Sequence, residues 1–365
     1  MSNPGRILAA LMVAGTLVLA AGWQPSRAGE LPHASGYKVL APITHGRLTI
    51  FPVVTANTHD TSQFITLDEG IRSGEVIVTE AGRVVPLMRR GPRPIPMGGG
   101  EVNRLVLVNN SSRPLILLAG EIVTGGKQDR VIGKDRIVPA NSDPIDLGVF
   151  CVEPGRWTET SAKFGSLGVQ MAQPSVRKKA MVDKDQQQVW NEVNGALAVA
   201  RPMAAPSGGE GSGVGGGIGS SYARMMDAPE MKRQVDQIAA PVERDYNSVI
   251  RELRARSAVG VVAAVDGQII WADVFASTSL LEKYWPKLVR SYAAEALLTH
   301  GGGQKADINA AQAYLDELSG RREVVESEPG IFRHAEITGD GFKVFELTSL
   351  LPKTGFDLHI AKMEQ

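Results

Sequence analysis

Residues 258–277 read AVGVVAAVDGQIIWADVFAS. Two apolar, β-branched runs flank Asp266-Gly267, and an Asp-Gly pair between such runs is the strongest short-range hairpin signal, because a type I′ turn needs two residues that tolerate positive φ. Downstream, Ser279–Thr299 and Asp307–Ser319 carry helical periodicity. Residues 322–361 return to strand, with Thr338-Gly339-Asp340-Gly341 turning between HAEI and FKVFELT. The C-terminal part, 257–365, is therefore expected to be an α+β unit.

Upstream of the hairpin the pattern is helical. Pro229–Arg256 sets Val235, Ile238, Val242, Tyr246 and Ile250 in one stripe, and QQQVWNEVNGALAVA sets Val189, Val193, Leu197 and Ala200 in another. Between them PSGGEGSGVGGGIGSS, 206–221, has the composition of a flexible linker or loop, so 184–256 reads as a helical segment interrupted by glycine. Earlier still, 37–155 is mostly strand. YKVLAPITHGRLTIFPVVTA, GEVIVTEAGRVVPLM and RLVLVNNSSRPLILLAGEIVT are β-branched runs broken by Gly, Pro and Asn. Asn109–Ser112 suggests a hairpin between RLVLV and PLILL, and PMGGG at 96–100 a loop. A spacing of about ten residues per strand suits an antiparallel β-rich sandwich or barrel-like unit over 37–183. The fold expected for the whole chain is α+β, with this β-rich unit first, helices next and the α+β unit last.

The 39 basic and 39 acidic residues cancel, which removes the broad basic field expected of a nucleic-acid binder. The N-terminus carries an export signal over 1–28: Arg6, then the uncharged apolar run Ile7–Ala21, then Ser26-Arg27-Ala28 for cleavage, with Val18-Leu19-Ala20 as an earlier option. That run is shorter than the about 20 residues a span needs, so a secreted or periplasmic protein without stable membrane insertion is expected, with an uncleaved N-terminal anchor as the lesser alternative. A single cysteine, Cys151, leaves no internal disulfide to staple the core.

Familiar catalytic signatures fail in context. Gly211–Gly216 contains GxGxxG within a glycine tract and not after a strand. Gly120–Lys127 has one residue too many for a phosphate loop, and Gln128 stands where Ser or Thr would hold magnesium. His33, His45, His59, His300, His334 and His359 are scattered singly, so neither a metal nor a cofactor is expected. No GxSxG elbow occurs.

The densest chemistry lies in Leu118–Trp157, LAGEIVTGGKQDRVIGKDRIVPANSDPIDLGVFCVEPGRW. Its polar residues cluster at strand ends and Gly-rich turns, where scaffolds present functional groups. The candidate ligand-binding set is Glu121, Lys127, Gln128, Asp129, Arg130, Cys151, Glu153, Arg156 and Trp157. Arg and Gln offer multi-donor recognition of phosphate, carboxylate or amide, and amides of the paired Gly125-Gly126 could form an anion nest. Alternatively Asp129 and Arg130 pair with Arg156 and Glu153 as scaffold, Trp157 packs in the core, and Cys151 is a small buried hydrophobe. Glu121 with Glu153 as acid and base, or Cys151 as nucleophile, would instead make a hydrolase or transferase.

GEIVTGGKQDR followed by VFCVEPGRW resembles the ARG and rhodanese-phosphatase-superfamily-associated protein domain. QQQVW and VVAAVDGQIIWADVF are similar to that family too, so the resemblance covers most of 40–350. Its members are largely uncharacterised. The association with ADP-ribosylglycohydrolase-like and rhodanese-like domains implies, by analogy, ADP-ribose-type ligands. The leading expectation is an exported, non-catalytic module that binds a small molecule or protein through the 120–130 turn and the 151–157 strand end. The alternatives are the hydrolase or transferase, on a phosphorylated or glycosidic substrate, and a structural envelope-associated subunit.

Overall fold

Asp266 and Gly267 both take positive φ, 51° and 84°, and the turn they make joins two neighbouring central strands, as Asp-Gly chemistry requires. The computed structural model describes residues 36–81, 103–203, 219–253, 256–299 and 306–365. The expected signal peptide, the loop at 96–100 and most of the glycine tract lie outside those residues.

In chain order the first elements are β1 (Tyr37–Val39), β2 (Ile43–His45), β3 (Leu48–Thr55), β4 (Ile65–Thr66) and helix α1 (Leu67–Ser73). Strands β5 (Val76–Glu80), β6 (Arg104–Asn109), β7 (Leu115–Leu117) and β8 (Glu121–Thr124) follow. Next come β9 (Arg130–Ile132), β10 (Arg136–Val138), β11 (Ile145–Cys151) and β12 (Gly165–Met171). Helices α2 (Pro174–Lys178), α3 (Gln186–Met203), α4 (Tyr222–Asp227) and α5 (Pro229–Glu252) precede the hairpin β13 (Ser257–Val265) and β14 (Gln268–Phe275). The chain then runs through α6 (Thr278–Leu298), α7 (Ile308–Asp316), β15 (Arg321–Glu328), β16 (Phe332–Thr338), β17 (Phe342–Ser349) and β18 (Asp357–Glu364). The class is α+β, with antiparallel sheets and a nearly closed barrel; the short β4–β7 pair is parallel.

One nine-stranded sheet runs β1-β3-β13-β14-β18-β17-β16-β15, with β2 also on β3. The N-terminal strands β1 to β3 thus join the C-terminal hairpin, and the sheet crosses the expected boundary between 37–183 and 257–365. The reason lies in burial. Val261, Ala263 and Val265 enter the core shared with Tyr246, Tyr284, Leu288 and Tyr292 of α5 and α6. Val259, Val262 and Ala264 enter the opposite core with Ala311 and Leu315 of α7. A strand covered on both faces reads as a continuous apolar run without alternation, and β3 is apolar in the same way. Each valine or leucine among them contributes about 1.5–3 kcal/mol on burial.

The remaining strands form a six-stranded sheet, β12-β8-β9-β11-β6-β5, and a three-stranded one, β10-β7-β4. The expected hairpin at Asn109–Ser112 is not formed: β6 pairs with β5 and β11, whereas β7 pairs with β10 and β4. The turn is a corner between sheets. The Asn109 carboxamide holds it by donating to the carbonyls of Arg113 and Pro139, each at 2.9 Å, while its oxygen accepts from Ser111 N. Helix α1 carries a full capping box between Thr66 and Glu69. Among the described residues no helix is long and apolar enough to cross a membrane.

Candidate functional site

The turn between β8 and β9 needs glycine. Gly125 and Gly126 take φ of 125° and 51°, and a Cβ on Gly126 would sit 2.3 Å from the Phe164 ring and 2.6 Å from Glu80 Oε1. The amides of this turn are already used. Gly125 N donates to Asp129 Oδ1 (3.0 Å), Gly126 N to Ser161 Oγ (3.2 Å), Lys127 N to Glu80 Oε1 (2.7 Å) and Asp129 N to Glu153 Oε2 (3.1 Å). The expected anion nest is therefore closed by the protein's own oxygens.

Beneath the turn lies a buried polar network. Arg156 Nη2 meets Glu153 Oε2 at 2.5 Å and Asp129 Oδ1 at 3.5 Å. Its Nη1 donates to the carbonyls of Gly126 (3.1 Å) and Thr158 (2.7 Å). Asp129 Oδ2 accepts from Ser221 Oγ at 2.6 Å, and Ser221 also caps α4 by accepting from Arg224 N. Burial pushes the Asp129 carboxyl up, and the Ser221 hydrogen bond draws it part of the way back. Arg130 is fully buried, with Nη2 3.9 Å from Glu80 Oε1; burial lowers its pKa. Gln128 Nε2 donates to the Glu153 carbonyl at 3.1 Å. The scaffold pairing expected of Asp129, Arg156 and Glu153 is present, whereas Arg130 turns to Glu80.

Cys151 is buried. Its backbone is clamped by Gln186, which accepts from Cys151 N (2.8 Å) and donates to its carbonyl (3.0 Å). Burial pushes the thiol up, and the Trp190 indole, the Glu153 amide and the Arg130 charge offset only part of this. A thiol so placed is a poor nucleophile.

Glu121 lies at the opposite end of the β8–β9 hairpin from Glu153 and belongs to another network. It accepts from Leu118 N (2.7 Å) and from Lys287 Nζ (2.6 Å), and Lys287 also reaches Asp68 at 2.5 Å. Burial alone would lower Lys287, but the charges of Glu121 and Asp68 hold it above the usual lysine value. The two glutamates do not face each other as an acid and base pair.

Trp157 was expected in the core and is instead 44% exposed. The network beneath explains its position: Lys127 Nζ lies 4.9 Å and Arg130 Cζ 5.9 Å from its ring centroid, the geometry of cation–π attraction. An open cleft of about 320 Å³ adjoins the same turn, with Gly125, Asp129, Thr160, Ser161, Arg224 and Asp227 on its walls.

Sequence reasoning missed a second charged assembly. Arg177 Nη1 and Nη2 grip Asp273 at 3.0 Å each, and Tyr292 donates to the same carboxylate. His359 bridges Asp273 (3.0 Å) and Asp135 (2.5 Å), and Asp135 Oδ1 accepts from Ala119 N at 2.7 Å. Burial alone would lower the imidazole, yet Asp135 and then Asp273 hold it at about 9. The signal was available: Asp273 is the one charged residue of β14, and His359 stands between Leu358 and Ile360 in β18. All these side chains are buried, so the assembly braces β14, β18, α2 and α6 against the 119–135 segment and offers nothing to a ligand. Among the described residues no group of three His, Cys, Asp or Glu is placed to hold a metal.

The family model described as ARG and Rhodanese-Phosphatase-superfamily-associated Protein domain matches residues 36–356. No curated protein and no solved structure matches the chain.

Proposed function

The chain belongs to the ARG and Rhodanese-Phosphatase-superfamily-associated Protein domain family, and on that premise we propose that it is an exported binding or interaction module. Its working face is Trp157 with Lys127 and the adjoining cleft that ends at Arg224. The observation that carries this reading is the exposed Trp157 ring, fixed by two cations above a buried network. A rigid aromatic anchor with its support already ordered lowers the entropic cost of association. Trp and Arg are also the residues that most often dominate binding energy. The buried members of the motif, Gln128, Asp129, Arg130, Glu153 and Cys151, then act by holding that face in shape. The hydrolase or transferase reading gains no support from a buried thiol and two separated glutamates.

A thermal-shift screen of nucleotides, sugars and sugar phosphates tests the small-molecule form of the reading. A ligand at 100 times its dissociation constant stabilises the native state by about 2.7 kcal/mol. The expected result is a ligand whose shift is lost in Trp157→Ala and reduced in Lys127→Ala, with the unliganded stability within about 1 kcal/mol of wild type. A ligand-induced shift identical in both variants would place binding elsewhere. A flat screen leaves a protein partner on the same face. The mass of the mature protein tests export, with cleavage expected after Ala28.

A further inference from the structure

A second cavity, about 280 Å³, opens at one end of the nine-stranded sheet and shares no residue with the Trp157 face. It is formed where β3 and β14 end at Thr55 and Phe275, at Thr348 next to the end of β17, and where β1 and β18 begin at Tyr37 and Asp357. Four rings line it: Tyr37, His59, Phe275 and Phe356. His59 and Phe356 stack with centroids 4.1 Å apart and planes inclined by 10°. Phe275 is held from behind by His359 and Tyr284, at centroid distances of 4.7 and 5.5 Å, so that wall is ordered before any ligand arrives.

The charge on the lining is one-sided. Asp357 contributes a carboxylate, among the described residues no lysine or arginine lines the space, and Thr348 Oγ1 donates to Asp357 Oδ1 at 2.6 Å. Burial and then the Asp357 charge push the Tyr37 phenol up to about 12, so the carboxylate acts on the same ring that walls the cavity. Ring faces are negative, and a set of them beside one carboxylate favours a cation whose charge is spread and weakly hydrated. We propose that this cavity binds a small organic cation, a methylated ammonium on a short stem, with Asp357 as counter-ion and Tyr37, Phe275 and the His59–Phe356 stack as the ring wall. Asn57 at the rim provides a polar group for the stem.

Calorimetric titration of the mature protein with choline, with its neutral isostere 3,3-dimethyl-1-butanol and with glucose tests the proposal. Choline is expected to bind at least about tenfold more tightly than the isostere. Asp357→Asn, which preserves the acceptor for Thr348, should reduce choline binding to the isostere's level while leaving the melting temperature near wild type. Phe356→Leu supplies an independent variant from the ring wall, and Trp157→Ala should bind choline as wild type does. Equal affinity for choline and the isostere overturns the proposal. So does saturation by glucose alone, an unchanged choline affinity in both cavity variants, or no saturation at choline concentrations of about 20 mM.

Discussion

His359 is the group through which pH should act most strongly on stability. Its imidazole titrates at about 9 in the folded chain against an ordinary 6.5, with Asp135 and Asp273 as the cause. A pKa raised by folding stabilises the native state fully below the unfolded value, and that stabilisation is lost as pH climbs through the folded value. The window therefore runs from 6.5 to about 9. At 1.36 kcal/mol per pH unit the separation comes to roughly 3 kcal/mol. The carboxylates work in the other direction: Asp273 and Asp135 are held below the usual range, so their contribution is present above it and fades in acid. Urea unfolding of wild type and His359→Gln across this window provides the assay. The expected outcome is a stability difference that shrinks by roughly 3 kcal/mol between the lower and upper ends. Lys362, lowered to about 8 mainly by burial, adds an opposing slope above that pH, but it does so in both proteins and cancels in the difference. A difference that stays flat across the window would falsify the claim that the buried imidazole is held protonated.

Three further outcomes follow from the geometry. Cys151, enclosed by Gln186, Trp190 and Glu153 with its thiol pushed up, should resist iodoacetamide in the native protein and react once it is denatured; rapid native alkylation would return the nucleophile reading. Gly120→Ala should destabilise by about 3 kcal/mol or more, because it adds a side chain at positive φ against a packed neighbour. Its φ is 95° and the new Cβ would lie 2.6 Å from Arg177 Cγ. Gly74→Ala, at φ 75° with open space around it, should cost only about 1 kcal/mol in chemical unfolding.

Local structure was legible where local chemistry decides it. The Asp266-Gly267 hairpin formed as expected, and the stripe Val189, Val193, Leu197 and Ala200 is buried along α3. Sheet membership was not legible, because β3 and β13 are covered on both faces and their apolar runs carry no direction. Asn109–Ser112 misled for a related reason: its turn residues bend the chain in any case, but the Asn109 amide reaches Pro139 instead of closing a ladder. The segment Leu118–Trp157 stood out by its density of polar residues, and eight of the nine candidate residues gather around one end of the β8–β9 hairpin. Glu121 faces the other end because it is the first residue of β8, at the far end of the hairpin from the 125–129 turn. Glu80 was missed since nothing in VIVTE marks a glutamate that will accept from the Lys127 amide. Exposure of Trp157 was also unreadable, because it depends on two cations delivered from the neighbouring turn.

The pairing of β3 with β13 has a consequence for how the protein is made. Leu48–Thr55 leaves the ribosome early, whereas its partner Ser257–Val265 appears only after strands β4 to β12 and the long helices α3 and α5 have been synthesised. Loop closure over such a separation is slow, and an apolar strand waiting with open edges is prone to aggregate. Before residue 257 is made, β3 has only the short β1 and β2 along one edge, and a translational stop before that point leaves its other edge without β13.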